Sequence, residues 1–119
     1  MIKAYYVMRR DLNMTPAKLA VQVGHGTQLL MRKADCYVLK DWENYCDSRK
    51  IVCEVSSENK LNSLYNILKE TITTVEIIDS GYTEFEGKTK TGIAFLYDDN
   101  LENLFIAKKI KRLQLYKGE

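Results

Sequence analysis

The sequence predicts an α/β protein with a single mixed sheet of four to five strands and helices on both of its faces. Short segments rich in β-branched and aromatic residues alternate with longer amphipathic segments, as in proteins whose helices cover a sheet. Residues that favour helix N-termini stand directly before several amphipathic segments. The chain has 119 residues without repeats or linkers, so residues 1–119 are expected to form one domain with an ordinary core.

The amino-terminal part is predicted to be a strand, a tight loop and a long helix. Residues 2–8 are β-branched and aromatic, which is typical of a buried strand. Thr15 is a good N-cap and Pro16 fits the first helical position, so a helix is expected from Pro16 to about Lys33. Within it, Gly24 and Gly26 each cost about 1 kcal/mol relative to alanine, which indicates close approach by another element or a ligand.

This predicted helix has a polar face beside an apolar stripe. Lys18, Gln22 and His25 follow one another at helical spacing and share one face. The neighbouring apolar stripe consists of Leu19, Val23, Gly26 and Leu30. Because a cation in the first turn opposes the helix macrodipole, the position of Lys18 favours a functional role. The alternative is that the three polar side chains form an ordinary solvated face.

The rest of the chain continues the alternation of strands and helices. A break is expected from Asp35 to Asp41, and Trp42 in the short helix after it is interpreted as a packing residue. The remaining predicted helices are 41–46, one that begins after the N-cap Ser57, and one that starts at 98–100 and runs to about 110. The remaining predicted strands are 51–55, 75–78, 91–97 and a short edge strand at 113–116.

The predicted third strand ends at Asp79 and leads into a turn that carries polar chemistry. Residues 79–83 offer a carboxylate, hydroxyl side chains and a glycine that can take a positive φ. Ligands of α/β sheets bind beyond the carboxyl ends of parallel strands. If the first and third strands are parallel neighbours, their loops share one mouth, which brings Asp79 and Thr83 towards Lys18 and His25.

Composition is that of a globular protein, with 45% hydrophobic and 29% charged residues. No apolar run is long enough for a signal peptide or a membrane span, so a cytoplasmic location without membrane contact is expected. Cys36, Cys46 and Cys53 have no CxxC spacing and the chain has one histidine. The cysteines are therefore interpreted as reduced thiols rather than as zinc ligands.

Basic residues gather in two parts of the chain, although the net charge is only +2. One set is Arg9, Arg10 and Lys18, and the other is Lys108, Lys109, Lys111, Arg112 and Lys117. If the fold brings the two sets to one surface, that surface could hold a polyanion. The alternative is that these side chains serve solubility alone.

Three motifs occur in order along nearly the whole chain. A strand followed by R-x-D-L-x-M and a helix of the type GK-I-A-A-Q-V-A-H-A is matched by Arg9, Asp11, Leu12, Met14, Lys18, Leu19, Ala20, Gln22, Val23 and His25. A strand ending in D-A-G-R-T-Q is matched by Asp79, Gly81 and Thr83, and a T-x-T at the last main strand by Thr89 and Thr91. With these motifs the sequence resembles the peptidyl-tRNA hydrolases of the archaeal and eukaryotic type.

The resemblance implies hydrolysis of the ester that joins a peptide to the 3′-terminal ribose of tRNA, with peptidyl-tRNA as the substrate and with no cofactor or metal. The catalytic residues that it implies are Lys18, His25, Asp79 and Thr83. The substrate-binding residues that it implies are Arg9, Asp11, Gln22, Tyr82, Thr89 and Thr91. Oligomeric state is not determined by the sequence, which allows a homodimer.

Ester hydrolysis by water needs an acceptor for the water, a donor for the developing oxyanion and a proton for the leaving ribose oxygen. If the chain shares the reaction of the family, Asp79 is the candidate to orient or deprotonate the water. Lys18 is the candidate to stabilise the oxyanion or to fix the ribose and phosphate. Thr83 is expected to hydrogen-bond the water or the ester. His25 could relay the proton or replace Asp79 as the base, and both assignments stay open.

Three positions depart from the second motif. Ser80 stands for alanine, Tyr82 for arginine and Glu84 for glutamine, and the last two make the pocket less positive. Loss of the arginine removes a bidentate phosphate contact, although Tyr82 can stack on the terminal base. Tyr82 and Glu84 favour the alternative function of a catalytically impaired module of the same fold that binds tRNA or protein. An unrelated α/β ligand-binding domain would require the motif agreement to be accidental.

Overall fold

The computed structural model describes residues 1–82, 84–101 and 103–117. Five strands of this part form one mixed sheet in the order β3-β4-β1-β2-β5. The strands are β1 (Ile2–Arg9), β2 (Lys50–Val55), β3 (Thr74–Asp79), β4 (Thr89–Asp98) and β5 (Gln114–Leu115). The α-helices are α1 (Pro16–Lys33), α2 (Cys36–Tyr45), α3 (Glu58–Leu68) and α4 (Leu104–Lys111). The predicted α/β fold class is confirmed.

Strand direction places three carboxyl ends at the same edge of the sheet. β1 pairs with β2 in parallel, and β4 runs antiparallel to both β1 and β3. β1, β2 and β3 therefore point the same way. The condition that the first and third strands are direct neighbours is not met, because β4 lies between them. The loops after β1 and β3 still leave the same edge, since both strands are antiparallel to β4.

Each face of the sheet carries its own apolar core. α1 and α2 cover one face, where Tyr6, Leu30 and Trp42 are buried together. α3 and α4 cover the other face, where Val7 and Phe95 pack with leucines of α3. Tyr6 and Val7 are adjacent in β1 and point to opposite faces, as the two-residue period of a strand requires. Trp42 is 2% exposed and its indole N–H donates to the carbonyl of Arg49, so its predicted packing role is confirmed.

Local capping accounts for the helix boundaries that were predicted well. The Thr15 hydroxyl accepts a hydrogen bond from the Lys18 backbone N–H, and α1 runs from Pro16 to Lys33 as expected. The Ser57 hydroxyl likewise accepts from the Lys60 N–H at the start of α3. Among the helices in the described residues, none has both the length and the apolarity needed to cross a membrane. The three cysteines are free thiols, as predicted.

Two predicted helix starts are wrong for reasons of capping. α2 begins at Cys36 rather than near Asp41, because the Asp35 carboxylate caps it by accepting from the Tyr37 N–H. α4 begins at Leu104 after the N-cap Asn103, not at residues 98–100. Asp98 instead ends β4, and its carboxylate accepts from the Asn100 N–H in the turn that follows.

The two glycines of α1 have different surroundings. A Cβ on Gly26 would lie 2.9 Å from Ile77 Cδ1 and 3.0 Å from Tyr6 Cδ1, so this glycine allows α1 to approach the sheet closely. A Cβ on Gly24 would meet nothing within 4 Å. Close approach by another element, which was one of the two alternatives predicted for both positions, is therefore confirmed at Gly26 and wrong at Gly24, where approach by a ligand stays a prediction.

Candidate active site

Lys18 and Asp79 form a buried ion pair at the carboxyl edge of the sheet. Lys18 Nζ lies 2.6 Å from Asp79 Oδ1, and the two residues are 8% and 4% exposed. The first turn of α1 carries the lysine, and the last residue of β3 is the aspartate. Burying a pair of charges is costly unless both are well hydrogen-bonded, so an ion pair at this edge indicates a functional site.

A glutamine and a threonine fix the aspartate from the other side. The Gln22 amide nitrogen donates to Asp79 Oδ1 over 3.0 Å, while the Thr91 hydroxyl donates to the Gln22 amide oxygen over 2.7 Å. Gln22 and Thr91 are both 0% exposed. The orientation of the Gln22 amide is thus set by its two partners. Lys18, Gln22, Asp79 and Thr91 are called the Lys18 cluster below.

The Asp79 carboxylate is held in its ionised form. Its Oδ2 accepts a hydrogen bond of 2.9 Å from the backbone N–H of Gly81. Burial by itself raises the pKa of Asp79, but hydrogen bonds from Lys18, the Gly81 N–H and Gln22, together with the lysine charge, outweigh it and lower the pKa. Asp79 is therefore an anion and a weak base near neutral pH.

Gly81 is required by the shape of the turn after β3. Its φ of 85° lies in the left-handed region, as the sequence predicted for this glycine. A Cβ at this position would also overlap the backbone of Gly87. The backbones of Gly81 and Gly87 thus lie close together where the loop between β3 and β4 begins and ends. This close contact keeps the Gly81 N–H next to Asp79.

The loop between β3 and β4 lies against the start of α1 through two contacts that the sequence analysis missed. The Thr15 hydroxyl is hydrogen-bonded to the Glu84 carboxylate. Lys18 Nζ lies 5.5 Å from the centre of the Phe85 ring, within the range of a cation–π interaction. The one sequence signal for this contact is a single phenylalanine inside an otherwise polar turn.

The face of α1 that packs on the sheet is the one that carries the polar residues. Lys18 and Gln22 are buried on one stripe with Gly26 and Leu30. Leu19 and Val23, which were expected to lie on a separate apolar stripe, are only partly buried. The predicted apolar stripe does pack against the core. The prediction that the neighbouring polar face points away from the sheet is wrong for Lys18 and Gln22, because buried partners satisfy both side chains. The interpretation of these two residues as an ordinary solvated face is also wrong.

His25 differs from Lys18 and Gln22, with which it was grouped. It is exposed on α1, one turn beyond Gln22. Among the described residues, no hydrogen bond joins it to the Lys18 cluster. Thr83 lies outside the described residues.

The other residues predicted to bind substrate lie around the same edge. Arg9 forms a two-bond pair with Asp11, in which Nη2 lies 2.8 Å from Oδ2, and its Nη1 donates to the Lys90 carbonyl over 3.0 Å. The hydrogen bonds that Arg9 donates to Asp11 raise the pKa of Arg9. Tyr82 is 91% exposed, and Thr89 donates to the Gly87 carbonyl.

The cluster combines a cation, an anion and fixed hydrogen-bond partners. Within the described residues, Oδ1 of Asp79 accepts from two side chains and Oδ2 from one backbone N–H. Since a carboxylate oxygen can accept two hydrogen bonds, Oδ2 has one acceptor position beyond those described contacts. The site thus offers a positioned acceptor next to an ammonium group, which is what attack of water on a carbonyl requires.

Comparison with known proteins gives consistent matches. Residues 2–115 match the family model "Peptidyl-tRNA hydrolase PTH2". The chain is 31% identical over 112 residues to a peptidyl-tRNA hydrolase of Metallosphaera sedula, covering 87% of this chain and 94% of that protein. It is 34% identical over 96 residues to a probable peptidyl-tRNA hydrolase 2 of Drosophila melanogaster, covering 77% of this chain and 51% of that protein.

A mouse protein named mitochondrial peptidyl-tRNA hydrolase 2 is 33% identical over 93 residues, covering 75% of this chain and 51% of that protein. The chain therefore spans about half the length of the Drosophila and mouse relatives. It spans nearly all of the archaeal one. Because the family model covers almost every residue from the first strand to the last, the chain belongs to the PTH2 family of peptidyl-tRNA hydrolases.

Proposed function

We propose that this protein hydrolyses the ester bond of peptidyl-tRNA and releases the peptide and a reusable tRNA. The buried Lys18–Asp79 pair is the observation that carries the proposal. It lies where α/β sheets bind their ligands, at the carboxyl ends of parallel strands. The family to which the chain belongs supplies the substrate class.

Asp79 orients the attacking water by accepting a hydrogen bond on Oδ2. The lowered pKa of Asp79 makes it a poor proton acceptor, so orientation of the water is its main task and full removal of a proton is not. Lys18 stabilises the oxyanion that develops on the ester carbonyl, and Thr83 hydrogen-bonds the water or the ester. His25 is assigned the proton relay: it takes the proton that the attacking water loses and gives a proton to the leaving ribose oxygen, since an imidazole can both accept and donate a proton.

The substrate-binding residues divide into two groups by burial. Gln22 and Thr91 are fully buried, so Gln22 acts by holding Asp79 and Thr91 acts by holding Gln22. Arg9, Asp11, Tyr82 and Thr89 lie further out, where they can contact the tRNA end. The exposed ring of Tyr82 is free to stack on the terminal base. The proposed reaction uses no metal or cofactor. The proposal also takes residues 1–119 as one domain and the cytoplasm as the place where the protein acts. A homodimer is a further hypothesis.

Single-turnover hydrolysis of an N-acetylaminoacyl-tRNA tests the proposal. We expect the parent protein to release acyl amino acid and Asp79→Asn to be slower by about 10² to 10⁴, because the change removes the charge that positions the water. Affinity for deacylated tRNA, measured by fluorescence anisotropy, should stay nearly unchanged. Asp41→Asn, which neutralises an exposed carboxylate on α2, is the matched control and should keep the parent rate.

Binding of tRNA without any release of acyl amino acid would support the impaired binding module instead. Near-parent turnover by Asp79→Asn would mean that Asp79 only shapes the turn through Gly81. In that case His25→Gln should be the variant that loses activity, and His25 would be the base.

A further inference from the structure

A charged cleft lies at the same edge of the sheet as the Lys18 cluster, beside α3 and α4. Arg10, Lys60 and Arg112 line it, and its volume is about 390 Å³. The three side chains come from three parts of the chain: the turn after β1, the first turn of α3 and the end of α4. All three residues are exposed. The cleft lined by these three residues is called the basic cleft below.

One buried carboxylate organises the cleft without cancelling its charge. Glu54, at the carboxyl end of β2, has a side chain that is 4% exposed. Its Oε2 lies 2.8 Å from Arg10 Nη1, and its Oε1 accepts from the backbone N–H of Lys117 over 3.1 Å. The guanidinium of Arg10 is therefore fixed at the rim. Three cations face one carboxylate, so the lining of the cleft keeps a net positive charge.

We propose that the basic cleft binds backbone phosphates of the tRNA, a few nucleotides away from the end that enters the Lys18 cluster. The inference rests on the proposed function for the identity of the RNA. Exposed arginine and lysine side chains around a polar cleft are the usual partners of phosphate oxygens, and they position a nucleic acid without reading its sequence.

The distance between the two sites fits this arrangement. Glu54 lies on β2 and Asp79 on β3, which are three strand positions apart in the sheet. At about 4.8 Å between neighbouring strands, the separation is about 14 Å. Stacked nucleotides advance about 3.4 Å each along one strand, so about four nucleotides span the gap. One RNA strand can therefore reach both sites across the same edge.

Salt-dependent binding of deacylated tRNA tests the basic cleft directly. Lys60→Gln and Arg112→Gln remove exposed charges and leave the Arg10–Glu54 pair intact, so both variants should fold. Each lost phosphate contact should reduce the slope of log affinity against log salt by about 0.7 to 0.9, and the double variant by about 1.4 to 1.8. The matched control is Lys40→Gln, which removes one exposed charge from α2 on the opposite face of the sheet.

A double variant with the parent slope, or an equal loss in Lys40→Gln, would overturn the proposal. Hydrolysis separates it from the proposed function. The double variant should raise KM for full-length peptidyl-tRNA and keep the parent rate on a short substrate with the same ester on only the terminal nucleotides. If the parent protein hydrolyses neither substrate, the proposed function fails, and the anisotropy measurement still decides whether the cleft binds tRNA phosphates.

Discussion

The hydrogen bonds of Asp79 determine both its charge and its use. Among the described residues, two side chains donate to Oδ1 and one backbone N–H donates to Oδ2. Because Oδ2 has the fewer donors, a water that binds this carboxylate is expected to donate its hydrogen bond to Oδ2. Every one of these donors favours the ionised form. A carboxylate in this setting orients water well and accepts a proton poorly, which is why proton transfer is assigned elsewhere.

The lowered pKa of Asp79 predicts a pH dependence of stability. A depressed folded-state pKa means that the ionised carboxylate contributes stability above the ordinary value of 3.8, and that this contribution is lost as the pH falls through the lower folded-state value. We expect Asp79→Asn to lower the free energy of unfolding most near neutral pH and progressively less below about pH 4. Urea unfolding of the parent and the variant across this range measures the difference.

Asp41→Asn serves as the control for this measurement, because Asp41 is exposed on α2 and its loss should leave the pH dependence unchanged. A constant difference between Asp79→Asn and the parent from neutral to acid pH would contradict the assignment of a strongly held Asp79 anion.

Helix α1 brings Lys18 and Gln22 to Asp79 because it packs closely on the sheet at Gly26. The missing side chain at Gly26 lets Ile77 and Tyr6 approach the helix backbone. The Tyr6 ring is 0% exposed and its hydroxyl is hydrogen-bonded to Thr27, so the ring has little room to move. The position of the polar residues of α1 therefore depends on an apolar contact in the same helix, about one turn beyond Gln22 and two turns beyond Lys18.

Alanine at the two glycines of α1 tests this docking. Gly24→Ala and Gly26→Ala gain the same helix propensity of about 1 kcal/mol. Only Gly26→Ala also overpacks the contact with Tyr6 and Ile77, which costs about 1 to 3 kcal/mol. We expect Gly26→Ala to be less stable than Gly24→Ala by that amount in urea unfolding. Equal stability of the two variants would mean that α1 does not need its close approach.

The sheet edge as a whole gathers the charges that the sequence distributes over both ends of the chain. Arg10 near the amino end and Arg112 near the carboxyl end line one cleft, so the fold does bring members of the two predicted basic sets together. The Lys18 cluster lies at the same edge on the α1 side. Binding and chemistry thus use neighbouring but separate groups.

This separation predicts that salt acts on binding more than on chemistry. We expect KM for peptidyl-tRNA to rise steeply with salt, since each neutralised phosphate contributes about 0.7 to 0.9 to the log–log slope. The rate at saturating substrate should change little, because the buried Lys18–Asp79 pair is poorly screened by ions. Initial rates over a series of NaCl concentrations measure both quantities. An unchanged KM between low and moderate salt would contradict an electrostatic tRNA surface.

The sequence by itself determined the helices and strands of this protein, because capping groups and β-branched runs act between residues that are neighbours in the chain. Thr15 and Ser57 cap helices through neighbouring N–H groups, and β-branched runs form strands, so most boundaries agree with the prediction. The starts of α2 and α4 were predicted wrongly because their N-caps are Asp35 and Asn103, and other residues nearby are equally good N-caps. The motifs also identified the family, because they record residue order and spacing.

Only the tertiary structure decided which face of α1 is buried. Periodicity assigns polar residues to solvent, and Lys18 and Gln22 break this rule because their partners come from distant parts of the chain. Gln22 bonds Asp79, which is 57 residues away, and Thr91, which is 69 residues away. Burial of a polar side chain is stable when such partners satisfy it, and those partners meet only after the sheet has assembled. For the same reason, only the fold could place Arg10, Lys60 and Arg112 around one cleft.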